Sequence, residues 1–448
     1  MKVIKYISVA TIILLTMGQM SCKRESTGLA QSNVARITAF RFAAQDSFPG
    51  LAAAKFIVEE LNDTGVIRNT DSIKYGTRLT KVVPSINYYT SPSAVYIKWG
   101  KDSTYWFTGR DTIDFSKMPM SITVVSEDGS KTKTYKFDIT IHQVDPDLMD
   151  WQIQNDQIYS AAANEQQQLL AFNDKLWLYS SDGTQTALRY STDKGETWFS
   201  GAANTPKADC NVKNIFTLGN RMYYVDGKDL YTSTDGEAWI SETLSLDIDT
   251  MTYLFSWEDR AVLSGLRPDK KMCVLMLNDG LVTDKNIKLD DNFPRKEFAA
   301  AAFQSASLRK RAIVMGGRDK NNNILNSCWS FEYTVSSDTV RIQNYATGRN
   351  MPKISATAIV YYYNSLMRFG GINESGQLDS AIYVSTTEGI TWQVADSASN
   401  QLPDEFGKRQ KISALVYDDD VYLFGGQTAN ELKTDIWKGR INSIDWIK

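Results

Sequence analysis

The chain has 448 residues, more than one ordinary hydrophobic core holds, so two or more domains are expected. Its formal charge of −3 argues against a general nucleic-acid binder, which would carry a basic surplus. One histidine, His142, and four cysteines with no CxxC pair exclude the usual zinc sites, and no metal or cofactor is expected.

Residues 1–21 carry Lys2 and Lys5, then an apolar run from Ile7 to Met17, then small residues before Cys22. That is the charged, apolar, cleavable order of a secretory signal, and the run is too short for a permanent membrane helix. The stretch Gln19-Met20-Ser21-Cys22 resembles a bacterial lipobox, with Gln19 departing from the usual leucine. The resemblance implies acylation of Cys22, a membrane as partner, and a place in the bacterial cell envelope as an outer-membrane lipoprotein. Multiple acyl chains give stable anchoring. Residues 22–35 are small and polar and read as a tether.

Residues 36–147 hold strand-like runs: ARITAFRF, AKFIVEEL, SAVYIKWG, SITVVSED and TYKFDITIHQV. The last two predict a hairpin across Glu127-Asp128-Gly129-Ser130, because Asp-Gly supplies the positive φ of a tight turn. Tyr135, Phe137, Ile139 and Ile141 alternate onto one face, as in a sheet with one dry and one wet side. The segment is expected to be an immunoglobulin-like β-sandwich without the Cys–Trp–Cys signature. The runs GVIRNTDSIKYGTRL, DTIDFS and SEDGSKTKTYKFDI resemble the N-terminal module of a family of Bacteroidales lipoproteins. In that family the module precedes a kelch-type propeller, so the resemblance implies architecture and location and brings no catalytic mechanism with it.

Residues 148–448 repeat two phrases. The first is STDKGETW (Asp193, Gly195, Trp198), STDGEAW (Asp235, Trp239) and STTEGITW (Trp392). The second is an apolar strand ending in Gly-Gly: Gly316-Gly317, Gly370-Gly371 and Gly425-Gly426, pairs 54 and 55 residues apart. Six strand–turn–strand units can be counted, beginning near residues 165, 211, 250, 297, 353 and 410. Repetition at this period means an array of similar β units, and the reading is a six-bladed propeller. The first phrase resembles the Asp-box of sialidase-type propellers: an aspartate accepts turn amides, a glycine takes positive φ, and a tryptophan returns to the sheet. The second resembles the kelch repeat, with Trp437 in the following aromatic strand. Its glycines are read as steric, because no Cβ fits where strands crowd.

The residue types also test three propeller chemistries. Copper oxidation needs histidines, and this region has none. Sialidase chemistry needs an arginine triad, and its Arg-Ile-Pro signature is missing. A mutarotase-like site needs only a few polar groups and stays open as an alternative. By analogy with other propellers, the first strand of each unit lines a central channel. These strands begin basic, at Arg295, Lys353 and Arg409 with Lys411, and continue in small residues such as EFAAAAF. Converging cations would attract an anion. The expected function is therefore binding of a glycan or an envelope protein, with no catalytic residue assigned. The alternatives are an enzyme acting on an acidic sugar, or a scaffold subunit of an envelope complex.

Overall fold

The computed structural model describes residues 30–442 apart from 45–49, 101–102, 163–164, 202–204, 243, 306, 346–351 and 397–399. The expected signal segment, residues 1–21, and Cys22 lie outside the described residues. The chain divides into two compact units between Asp145 and Pro146. Both are built from strands, with four short 3-10 turns and no α-helix among the described residues.

In the first unit, six strands form one sheet in the order Phe56–Leu61, Thr64–Asn69, Thr132–Asp138, Met120–Val125, Ala94–Trp99 and Ser103–Trp106. A second sheet pairs Ile37–Phe42 with Pro84–Tyr88. The expected hairpin across residues 127–130 is present, with Val125 opposite Thr132. One pair departs from an all-antiparallel pattern: Thr64–Asn69 runs parallel to Thr132–Asp138. A parallel neighbour needs a long connection, here the stretch that carries the intervening strands. Phe40, Phe42, Phe115 and Phe137 meet edge to face at centroid distances of 5.1–6.1 Å. Tyr135 links the sheets through its hydroxyl, which donates to Glu60 (2.8 Å) and accepts the Ile37 amide (3.1 Å).

The second unit contains six four-stranded sheets, all antiparallel. Their innermost strands are Gln166–Phe172, Ile215–Leu218, Thr250–Ser256, Ala299–Gln304, Ala358–Tyr362 and Ser413–Tyr417. Each innermost strand touches that of the next sheet, and the sixth touches the first, so the sheets close a circle. The outermost strand of the sixth sheet comes from the start of the unit: Met149–Asn155 pairs with Leu432–Ile441. Trp151 covers Gly439 there; a Cβ at 439 would sit 2.6 Å from the indole. This strand joins the two ends of the unit and removes the free edge that an open array would leave.

The Gly-Gly pairs hold neighbouring sheets together. The amide of Gly317 donates to the Ile354 carbonyl (2.9 Å), and that of Gly371 to the Arg409 carbonyl (2.8 Å). After the sixth sheet no matching carbonyl follows, and the Gln167 side-chain oxygen accepts from Gly426 instead (3.1 Å). The first glycine of each pair faces the same oxygen. A Cβ at Gly316, Gly370 or Gly425 would lie 2.3–2.4 Å from it, and all six glycines have positive φ. For the first glycine the nearest crowding atom belongs to the next sheet, and for the second it belongs to the chain entering the inner strand of its own sheet.

The serine-led phrases form turns after the third strand of the first, second and fifth sheets. Gly195, Gly236 and Gly389 donate to Ser191, Ser233 and Ser385 Oγ at 2.8–2.9 Å. Asp193 accepts the Thr197 amide, Asp235 the Glu237 and Ala238 amides, and Thr387 replaces the aspartate by accepting from Thr391. The indoles of Trp198 and Trp392 donate back to Gly195 and Gly389. In the shorter second copy Trp239 makes no such bond, and Tyr179 of the preceding sheet donates to Gly236 instead (2.6 Å).

Candidate functional site at the axis

Strand register assigns the features to ends of the ring. Ala299 lies opposite Met315, and Met315 opposite Cys328, so inner strands begin at the end that carries the Gly-Gly loops. The serine-led turns follow third strands and lie at the other end. At the Gly-Gly end, Glu297, Ala356 and Lys411 occupy equivalent positions just before the fourth, fifth and sixth inner strands. All three have φ between 53° and 60°. Their backbones link in series: Ala356 N–H donates to Glu297 O (2.8 Å), and Lys411 N–H to Ala356 O (2.7 Å). This track of hydrogen bonds runs around the axis across three sheets.

Two of these positions carry charge, and a third charge reaches them from across the ring. Lys213 sits in the 3-10 turn Val212–Asn214, immediately before the inner strand of the second sheet. The Lys411 ammonium interacts electrostatically with both Lys213 and Glu297. These residues stand just before the inner strands of the second, sixth and fourth sheets, alternate members of a ring of six. By accessible surface Lys213 is exposed, open to solvent on one side. Its ammonium is nevertheless surrounded by protein, and desolvation together with the Lys411 charge pulls its pKa from 10.5 down to about 8. Among the described residues neither lysine has an ion-pair partner.

Glu297 is held differently. Burial would raise its pKa, but hydrogen bonds from Arg318 Nε (2.6 Å) and Ser355 Oγ (2.7 Å), with the charges of Arg318 and Lys411, hold it below the usual carboxylate value. Both bonds fall on Oε2, which fixes the carboxylate in its ionised form. The cluster thus contains Lys213, Lys411, Arg318 and Glu297, with more cationic than anionic groups. Convergent cations with one acceptor suit a ligand that carries a carboxylate and hydroxyls.

The three cations expected at a channel mouth are placed elsewhere. Arg409 is 1% exposed. Its guanidinium pairs with Asp435 through Nη1 (2.5 Å) and Nη2 (2.8 Å), donates to the Gly425 and Phe406 carbonyls, and stacks on Phe406. This corrects the expectation that Arg409 faces a ligand. It stands two residues before the left-handed position, as Ile354 does in the fifth sheet, and Ile354 is also buried. Arg295 holds the same place in the fourth sheet; burial lowers its pKa, and its Nε has no hydrogen-bond partner among the described residues. Lys353 lines a groove of about 950 Å³ with Arg368, Tyr383, Lys408 and Lys433. There three of the four cations are matched, Lys353 with Glu374, Arg368 with Asp379 and Lys433 with Glu431, and Lys408 adds one more charge. The groove therefore offers less unbalanced charge than the axis.

Lys213 is the residue the sequence does not reveal. It is a single lysine in NVKNIF, outside the basic runs, and only closure of the ring brings it near Lys411. The repeat residues Asp193, Asp235, Gly195, Trp198, Trp239 and Trp392 lie at the far end, within turns or the cores between sheets. Trp437 is buried and donates to Asp435, completing the support of Arg409.

A closed circle of four-stranded sheets around an axial cluster defines a β-propeller. The chain belongs to the DUF6242 family: the DUF6242 beta propeller domain matches residues 145–448. The family's N-terminal domain, described as a domain of unknown function, matches residues 30–139. No curated protein matches the chain. The solved structure of YjhT is similar over 62% of this chain and 95% of that one, at 11% identity and a TM-score of 0.48.

Proposed function

We propose that this protein is an envelope lipoprotein, anchored through Cys22, whose six-bladed propeller of mixed kelch and Asp-box style binds a carboxylate-bearing glycan at its axis. An immunoglobulin-like sandwich spaces the propeller from the lipid. The observation that carries the binding reading is the pair Lys213 and Lys411, two axial cations without acid partners among the described residues, beside an ionised Glu297. Like charges held together are unfavourable until an anion joins them, so a carboxylate gains twice by binding there.

The test is calorimetric titration of the purified protein with acidic and neutral sugars at two salt concentrations. Acidic sugars should bind, more weakly at high salt, and Lys411→Glu should abolish the binding. Equal binding of neutral sugars, or an unaffected Lys411→Glu variant, refutes the reading. A second reading, chemistry on the acidic sugar, is favoured by the pairing of a partly neutral amine with a fixed carboxylate in one cluster. Turnover of a sugar anomer that disappears in Glu297→Gln would support it.

A further inference from the structure

We infer that the groove between the fifth and sixth sheets is a binding site for neutral saccharides, held through Arg368, Tyr383, Glu405 and Lys408. The groove uses neither Lys213 nor Lys411, so it stands apart from the axial site. It encloses about 950 Å³, within the range of small-molecule sites. Its walls come from the loops after the fifth and sixth Gly-Gly pairs and from the segments that lead into the same two inner strands.

The repeat shows that the fold does not need the polar residues found here. Two residues before the Gly-Gly pair stand Val314 in the fourth sheet and Leu423 in the sixth, both fully buried. The fifth sheet has Arg368 there, 2% exposed. The residue whose amide donates to the carbonyl of the second glycine is Leu325 in the fourth sheet and Asp379 in the fifth. The cross-strand partner is Trp329 or Trp437 in the neighbouring sheets, and Tyr383 in the fifth. Positions that are valine, leucine and tryptophan in the fourth sheet are thus arginine, aspartate and tyrosine in the fifth, and all three of these line the groove. A buried ion pair is on balance no more stabilising than well-packed apolar residues, so packing alone does not account for the exchange.

The Arg368 guanidinium is held between the other two side chains. Nη2 donates to Asp379 Oδ2 (2.6 Å), and the guanidinium carbon lies 3.9 Å from the centre of the Tyr383 ring. Nη1 has no hydrogen-bond partner among the described residues, and a buried donor without an acceptor is costly. A ligand oxygen that accepts from Nη1 removes that cost, and it need not be charged, because Asp379 already balances the guanidinium. Three further groups on the walls have no partner among the described residues: the Tyr383 hydroxyl, the Glu405 carboxylate and the Lys408 ammonium. The last two charges cancel, and the other cations of the groove are paired. A neutral molecule rich in hydroxyls matches this set: its oxygens accept from Arg368 and Lys408, its O–H groups donate to Glu405, and the Tyr383 hydroxyl serves in either sense.

The experiment is saturation-transfer NMR of the full-length protein with lactose, cellobiose and xylobiose, each titrated for a dissociation constant. At least one disaccharide should bind. Arg368→Val/Asp379→Leu gives the fifth sheet the residues of the fourth; it should remain folded by circular dichroism and weaken binding at least about tenfold. Tyr383→Phe keeps the ring beside the guanidinium, and Lys408→Ala alters an exposed side chain. Each should weaken binding about threefold or more, whatever the stability of the double variant. Binding of none of the three sugars, or undiminished binding in these variants, overturns the inference. So does binding that falls in Lys411→Glu but not in the groove variants, which would place the sugar at the axis. The axial reading stands or falls separately, on the titration with acidic sugars.

Discussion

Replacing Gly370 by alanine tests how the propeller is held together. Gly370 has φ +59°, a left-handed conformation that costs a residue with a Cβ about 1–2 kcal/mol. The new Cβ would lie 2.4 Å from the Arg409 carbonyl, far inside contact distance, so the fifth and sixth sheets must move apart. That movement weakens the Gly371 amide bond to the same carbonyl, worth about 0.5–1.5 kcal/mol. The total is about 1.5–3.5 kcal/mol, a fall in melting temperature of roughly 3–14 °C by the scaling for large domains. Gly376 is the control, since it has φ +76° but open space where a Cβ would go. Gly376→Ala should show the conformational cost alone, about 1–2 kcal/mol. Differential scanning calorimetry of the two variants decides it. Equal destabilisation would refute the claim that the Gly-Gly pair is needed for contact between sheets.

Other outcomes follow from the same contacts. Arg409→Ala strands Asp435 in the interior and should cost about 3–5 kcal/mol in chemical denaturation, whereas Lys353→Ala, breaking an exposed pair, should cost under about 1 kcal/mol. Asp193→Ala removes the acceptor of the Thr197 amide and should lower stability by about 1 kcal/mol while leaving ligand titrations unchanged. The carboxylates of Asp193 and Asp235 have folded pKa values below 3.8: at Asp193 turn hydrogen bonds outweigh burial, and at Asp235 backbone amides lead. Their stabilisation is complete above that value and declines as pH falls through it toward the folded pKa values. An acid denaturation series should show a later onset of unfolding in an Asp193→Asn/Asp235→Asn variant, measured relative to its own neutral-pH stability. Cys22→Ala should release the protein from membranes in a fractionation experiment.

The repeats made the second unit legible in the sequence. Six units, their starting points and the turn phrases all read directly from hydrophobic alternation and from Gly and Asp positions, because these encode local conformation. The strand that closes the ring did not read. Met149–Asn155 pairs with a partner almost 300 residues away, and nothing in its own residues states that choice. In the first unit the parallel pairing of Thr64–Asn69 was hidden for the same reason. The basic starts of the inner strands pointed to the Gly-Gly end of the ring, where Arg409 is buried and Lys353 pairs with Glu374. Arg409 looks like Lys411 in composition, yet two residues of offset turn one inward to Asp435 and leave the other at the axis. Lys213 was not visible in the sequence, since the charge that acts on it, Lys411, is 198 positions away.

The anion-binding proposal requires Lys213 to be an amine short of counter-charge until an anion binds. Following the Lys213 Nζ resonance by NMR across pH, with Lys213→Arg for assignment, tests it most directly. A titration near pH 8 is expected in the free protein, with an upward shift when a carboxylated sugar is added, because a bound anion favours the charged form. An amine that titrates near 10.5, unmoved by the sugar, would contradict it.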